Sequence, residues 1–318
     1  MIQQASLQKY KQLSRLPIGV VMVMRPWIWG AAIPPFYLGY VIATRQIVPA
    51  GCVSFDVHRC WSENWRMLIV LSVTGSMCWL FSFLLNDIYD LPADRDNPRR
   101  QKSPLVRGWI SPRAARTIAA LSAMLAIVGA VACGRDFVIV AAAWLFIGWA
   151  YSAPPLRLKN RPGLDTFACA IAVGAFAPAL GWAAAKPLAE LPWAIPVLGV
   201  ASIVAIYIPA TISDYETDRA NGVQTVAVRL GRDKAYWIGF GGNVVVFLVT
   251  TALDSMDSIV PRRMLPIQVT GGLIMMTLYH ILLHRQHDQR AIWRGLSIVG
   301  LCAIVFLGVF GLMYAGWI

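Results

Sequence analysis

The chain has 318 residues, 58% of them hydrophobic and 14% charged, with a formal net charge of +12. So few polar side chains cannot cover a soluble protein of this size, which excludes a water-soluble globule and indicates a polytopic helical membrane protein. No nucleic-acid motif accompanies the positive charge, which fits membrane topology and anionic phosphate instead.

The first sixteen residues carry Lys9, Lys11 and Arg15 but no apolar run before a cleavage site, so no removed signal peptide is expected. A helix needs about 20 apolar residues to cross the hydrocarbon core. Nine stretches are candidates, the fourth of them short: 17–44, 66–86, 113–133, 136–151, 164–184, 192–212, 234–253, 264–284 and 291–317. Helices are expected rather than strands, because an open sheet edge leaves backbone groups unsatisfied in lipid. Pro34-Pro35 is expected to kink the first span. The fold class is therefore all-α, with about nine transmembrane helices around a central cavity and one membrane-embedded domain over 1–318. On the side of the N-terminus lie 21 of the 28 Lys and Arg, which places that side in the cytoplasm. The chain is expected to be an integral, multi-pass protein of a bacterial inner membrane. Cys52 and Cys60 share the opposite-side loop 45–65, where a disulfide is open to them in an oxidising compartment. His280 and His284, at i, i+4, fit a polar helix end better than a metal site.

After the second span comes NDIYDLPADRDNPRRQKSPLVRG, Asn86 to Gly108. If the helix continues past Leu85, Asn86, Asp90 and Asp94 share one face at i, i+4, i+8, with Asp87 close to it. Carboxylates on one face repel unless a cation lies between them, and oxygen-rich sites suit Mg²⁺, which binds through one or two carboxylates plus substrate phosphates. A solvated acidic loop balanced by Arg95, Arg99, Arg100 and Lys102 is the competing account. After the sixth span the pattern recurs: D-x-x-x-D-R-x-N begins at Asp90 and again at Asp214, with Asp94 and Asp218 as second acids. An internal repeat of two acidic motifs facing one cavity follows. Two carboxylate groups binding Mg²⁺ around a diphosphate would neutralise a leaving group. The loop YSAPPLRLKNRPG, Tyr151 to Gly163, offers Arg157, Lys159 and Arg161 as diphosphate contacts. Arg25 opens an apolar run, and could meet a buried partner or extend to the interface.

At these residues the chain resembles the UbiA-type intramembrane prenyltransferases. The resemblance rests on Asn86-Asp87-x-x-Asp90-x-x-x-Asp94, on Asp214-x-x-x-Asp218-x-x-x-Gly222, on YSAPPLRLK and on the RPW at Arg25. It implies transfer of a prenyl chain from a polyprenyl diphosphate to a lipophilic acceptor (a quinone precursor, tetrapyrrole, carotenoid or lipid), with Mg²⁺ and release of pyrophosphate. It also implies that Asn86, Asp87, Asp90 and Asp94 form one metal-diphosphate cluster, and Asp214 and Asp218 the other, with Asp90 and Asp214 central to catalysis. Lys159 would grip the diphosphate, with Arg157 and Arg25 as further contacts, and Tyr151 would sit near the developing cation. Many relatives have Arg-Pro-Leu where this chain has Ser103-Pro104-Leu105, and Lys102 or Arg107 would replace that charge. The YSAPPLRLK stretch is more similar to the chlorophyll-synthase and carotenoid-elongase branches than to the hydroxybenzoate branch. A terpene cyclase on the same scaffold keeps the acidic motifs but needs no acceptor. A cation-coupled transporter would use intramembrane Asp as pathway sites, yet these acids lie at cytoplasmic span ends beside cationic loops.

Overall fold

The computed structural model describes residues 14–26, 33–49, 51–53, 56–97 and 100–317, leaving aside the side chains of 73–75. Among the described residues every regular element is helical: α1 (Ser14–Met24), α2 (Ile33–Thr44), α3 (Val57–Asp96), α4 (Pro112–Cys133), α5 (Arg135–Ser152) and α6 (Leu164–Ala183), then α7 (Ala194–Ser213), α8 (Tyr215–Ala220), α9 (Val226–Leu230), α10 (Arg232–Ser255), α11 (Arg262–Leu283) and α12 (Gln289–Tyr314). Eight of these, all but α1, α2, α8 and α9, are long and apolar enough to cross a membrane.

The first expected span, 17–44, is two helices. Arg25 leaves α1 with a left-handed backbone, φ 48°, and residues 27–32, including the Trp of the RPW stretch, lie outside the described residues. Pro34 and Pro35 do not kink a continuous span. They occupy the first turn of α2, where a helix has no use for their missing amide hydrogen. The second expected span, 66–86, is longer than its apolar core in both directions. Its N-terminal part carries Arg59, Glu63 and Arg66, which apolar counting passes over, and Arg59 Nε meets Glu63 Oε1 at 2.8 Å along one helix face. Its C-terminal part continues through Pro92 to Asp96 and holds the first acidic motif. Ser111 sets the start of α4: its side chain accepts from the Ala114 amide at 3.1 Å, and Pro112 follows as the first helical residue.

The chain divides into two compact units. The first comprises Met1–Ile33 and Arg66–Arg157, the second Pro34–Trp65 and Leu158–Ile318. In the first unit α3 packs on α4 and α5, and Val23, Leu80, Leu84, Leu91, Leu105, Ile110, Ala115 and Ala119 form a buried core. In the second unit α7 packs on α6, α10 and α12. The backbones approach closely there: a Cβ on Gly199 would lie 1.7 Å from the Gly174 carbonyl oxygen, and one on Gly181 would lie 1.8 Å from that of Phe36. Only glycine permits these crossings, the usual means of tight helix packing in lipid. The buried Tyr279 hydroxyl donates to the Ala205 carbonyl at 2.8 Å, tying α11 to α7. Cys52 and Cys60 are joined in a disulfide.

Candidate active site

In the first unit, α3 brings Leu84, Asp87, Leu91 and Asp94 onto one buried stripe. Spacings of three and four residues alternate leucine and aspartate along this core-facing row. Asp87 is 2% exposed and Asp94 7%. Asp90 and Asn86 are half-buried beside them. Burying a carboxylate this far needs a partner, and each Asp of the motif has an arginine. Asp87 Oδ1 accepts from Arg25 Nη2 at 2.7 Å, Asp90 Oδ1 from Arg157 Nη2 at 3.3 Å, and Asp94 Oδ1 lies 3.5 Å from Arg100 Nε.

Two of those arginines are held in unfavourable backbone conformations. Arg25 has φ 48° and Arg157 φ 37°, a region that costs a non-glycine residue about 1–3 kcal/mol and persists only where surrounding contacts enforce it. Arg25 has such contacts, since its guanidinium also rests 4.8 Å from the Phe83 ring centre. Arg25 therefore meets a buried partner and does not extend to the interface. Arg157 keeps its Nε buried without a partner among the described residues, a donor suited to an anionic oxygen. Tyr151 is the penultimate residue of α5 and half-buried, next to a fully buried Ser152.

Lys102 is exposed. Arg107 donates from Nε to the Gln101 carbonyl at 3.2 Å and lies over Trp109, 5.1 Å from the ring centre. Arg15 lies 5.3 Å from the centre of the same indole.

In the second unit, α7 ends at Ser213 and Asp214 turns the chain, with φ −98° and ψ 3°, into α8. The i, i+4 relation survives this break, because the Asp218 amide donates to the Asp214 carbonyl at 2.8 Å. Asp214 Oδ1 accepts from Gln289 Nε2 at 2.8 Å. Asp218 is hydrogen-bonded by the Thr225 side chain, and the Thr225 hydroxyl, which can donate and accept at once, also caps α9 by accepting from the Val228 amide at 3.4 Å. Burial first, and then the like charge of Asp214, push the Asp218 carboxyl up to about 6; Thr225 opposes this and Asp165 adds to it. Asp165, in the first turn of α6, is 1% exposed. Its Oδ1 accepts from the Gly163 amide at 2.9 Å, while Oδ2 is buried without a partner among the described residues. Lys159 sits half-buried in the turn Leu158–Asn160. Arg232 turns elsewhere, to Glu216 at 2.6 Å.

Asp165, Thr225 and Gln289 were not foreseen from sequence. Asp165 follows a glycine at a helix start, where an acid ordinarily serves the helix dipole. Gln289 reaches Asp214 across 75 residues, which no local spacing announces. Among the described residues no three Asp, Glu, His or Cys side chains converge closely enough to hold a metal ion. The donor set nevertheless suits a hard divalent cation. It is made of carboxylate oxygens, one of them a buried orphan at Asp165, and Mg²⁺ binds through one or two carboxylates plus substrate phosphates rather than in an all-protein cage.

The helical architecture agrees with comparisons to known proteins. The model of the UbiA prenyltransferase family matches residues 32–307, and the chain belongs to that family. It is 30% identical over 172 residues to the lycopene elongase/hydratase of Haloarcula japonica, a match covering 54% of this chain and 56% of that protein. It is 31% identical over 236 residues to the chloroplastic chlorophyll synthase of Oryza sativa subsp. japonica, covering 70% of this chain and 57% of the synthase. The chain thus spans a little over half the length of these curated relatives. A UbiA homologue from Archaeoglobus fulgidus, solved bound to GPP and Mg²⁺, shares the fold, with a TM-score of 0.72 and 22% identity over 93% of this chain and 99% of that one.

Proposed function

We propose that this chain is an intramembrane prenyltransferase that moves a prenyl group from a polyprenyl diphosphate to a lipophilic acceptor, with Mg²⁺ and release of pyrophosphate. The observation that carries this reading is the pair of carboxylate motifs at the ends of α3 and α7, with arginines already facing the first. Membership of the UbiA family supports it, and so does the archaeal homologue solved with a prenyl diphosphate and Mg²⁺.

Bound Mg²⁺ would neutralise charge on the departing diphosphate. Asp90, Asp94, Asp214 and Asp218, with Asn86 and Asp87, are the oxygen donors that would hold it. Arg25 and Arg157 would turn from carboxylate to phosphate oxygens, a short exchange between two anions of similar geometry. Lys159 would add a compact positive charge to the same diphosphate, and Lys102 and Arg107 would act further from the reacting bond. In the reaction the allylic C–O bond breaks with both electrons going to diphosphate. The acceptor's nucleophilic carbon or oxygen then forms the new bond and gives up a proton. The ring of Tyr151 would face the transient cation, and the apolar helices would keep water from quenching it. The chain would work as one membrane-embedded domain.

We place the N-terminus and the loops 87–112, 152–163 and 213–233 in the cytoplasm, because 21 of 28 basic residues fall on that side. The disulfide Cys52–Cys60, in a loop assigned to the opposite side, supports the same orientation. Incubation of the purified protein with labelled prenyl diphosphate, Mg²⁺ and a lipid extract tests the activity. A prenylated product that requires the extract supports transfer. An acceptor-free hydrocarbon or alcohol would make the chain a cyclase, and no pyrophosphate release would remove both.

A further inference from the structure

The second unit buries another carboxylate, far from its acidic motif. Asp254 stands in the last turn of α10 and is 0% exposed. Arg232 begins that helix and pairs with Glu216 beside the motif, so Asp254 lies about 33 Å further along the helix axis. Neither Oδ1 nor Oδ2 of Asp254 has a hydrogen-bond partner among the described residues. The hydroxyl of Thr251, three residues earlier on the same helix face, is likewise buried and unpartnered among them. One residue before it, Thr250 Oγ1 accepts from Nε2 of Gln268 in α11 at 2.6 Å, and Gln268 is 5% exposed. That bond uses the donor end of the amide and leaves Gln268 an oxygen. The basic residues of the following turn are exposed: the Arg262 amide donates to Asp257 Oδ1 at 2.7 Å, and Arg263 Nη2 donates to the Met313 carbonyl at 2.8 Å.

Position sharpens the electrostatics. The carbonyls at a helix C-terminus carry partial negative charge, and α10 has no basic residue in its last turn. An ionised carboxylate taken out of water is costly unless it is paired. Asp254 and the helix end together call for a positive charge. A single carboxylate among neutral oxygens matches a small monovalent cation, whereas Ca²⁺ and Mg²⁺ favour more carboxylates or several retained waters. Helix C-terminal ends coordinate Na⁺ within membranes in the same way. We propose that Asp254 and Thr251, with the Gln268 oxygen and the carbonyls that end α10, form a buried Na⁺ site, separate from the acidic motifs.

Thermal unfolding of the full-length protein in detergent reads the site without turnover, because a ligand that binds only the folded state stabilises it. NaCl is titrated against choline chloride at constant ionic strength. The wild-type protein is expected to gain stability with Na⁺ in a saturable way that choline does not reproduce. Asp254→Asn should raise the half-saturating Na⁺ concentration at least about tenfold, and Thr251→Val, which keeps the shape, about three- to tenfold. Asp214→Asn should keep the wild-type response. A wild-type protein indifferent to Na⁺ would overturn the proposal and leave Asp254 carrying a proton instead. A response lost in Asp214→Asn but kept in Asp254→Asn would assign the Na⁺ to the acidic motif and overturn it too. If Asp254→Asn does not fold, Thr251→Val decides: an unchanged half-saturation point rejects the site.

Discussion

At the end of α3, Asp87, Asp90 and Asp94 face Arg25, Arg157 and Arg100. At the end of α7, Asp214 and Asp218 are held by the amide of Gln289 and the hydroxyl of Thr225. The spacing in sequence is the same, D-x-x-x-D-R-x-N from Asp90 and from Asp214, yet the electrostatics differ. Carboxylates facing arginines are charge-balanced pairs, and a cation or a phosphate enters by exchange with a partner already present. In the second motif the Asp218 carboxyl is raised to about 6, by burial first and then by repulsion from Asp214. A divalent cation relieves that repulsion directly. On the proposed reading both motifs would hold Mg²⁺, and the first would also trade its arginines between carboxylate and phosphate.

The largest stability effect should come from unbalancing the first motif. Arg25→Ala leaves Asp87, 2% exposed, as a buried charge without its partner and should cost about 3–5 kcal/mol. Adding Asp87→Asn should recover much of that loss, because the orphaned charge is then gone. Denaturant titration in detergent measures both; a single-variant cost below about 1 kcal/mol would mean that the pair is not balancing a buried charge.

Next in size, Asp90→Asn and Asp214→Asn should each lower turnover about a hundredfold or more, since on the proposed reading each removes charge that would stabilise a departing diphosphate. The protein should remain folded in both. A normal rate in either variant would remove that motif from the chemistry and leave the other to account for it.

Lys159→Ala should weaken prenyl-diphosphate binding about ten- to a hundredfold, the loss of one charge-assisted contact worth about 1.5–3 kcal/mol. Lys159→Arg should regain part of it, because the charge stays while the donor geometry changes. Titration with a non-hydrolysable prenyl diphosphate distinguishes this from a topogenic lysine, for which all three proteins would bind alike.

The smallest effect is expected at Glu216, a neighbour of the second motif that lies outside the proposed site. Its ion pair with Arg232 is short, but the Glu216 side chain is 75% exposed, so Glu216→Gln should change stability by less than about 1 kcal/mol and leave metal binding intact. A loss of Mn²⁺ binding in this variant would extend the second motif beyond Asp214 and Asp218.

Much of this architecture was legible in the sequence, and the exceptions have physical causes. Apolar runs reveal helices that must satisfy their backbone within lipid, so spans such as 113–133 and 264–284 emerge close to α4 and α11. The acids stood out because charge is costly at a membrane boundary. Hydropathy could not show that 17–44 is two helices, since Arg25 ends α1 through its backbone conformation and Pro34-Pro35 then begin α2. Nor could it distinguish which arginine meets which aspartate. Asp87 pairs with Arg25 across 62 residues and Asp90 with Arg157 across 67, contacts fixed by packing rather than periodicity. Gln289 was hidden for the same reason, within the polar stretch HRQHDQR. Asp165 resembled an ordinary helix-start acid until its buried, unpartnered Oδ2 came into view.

The central claim is tested most directly by pyrophosphate release from a polyprenyl diphosphate, followed with purified protein as Mg²⁺ is titrated from zero in the presence of membrane lipid extract. The account predicts release that rises with Mg²⁺, stops on chelation by EDTA and is lost in both Asp90→Asn and Asp214→Asn. Release that persists in EDTA and in both variants would contradict it.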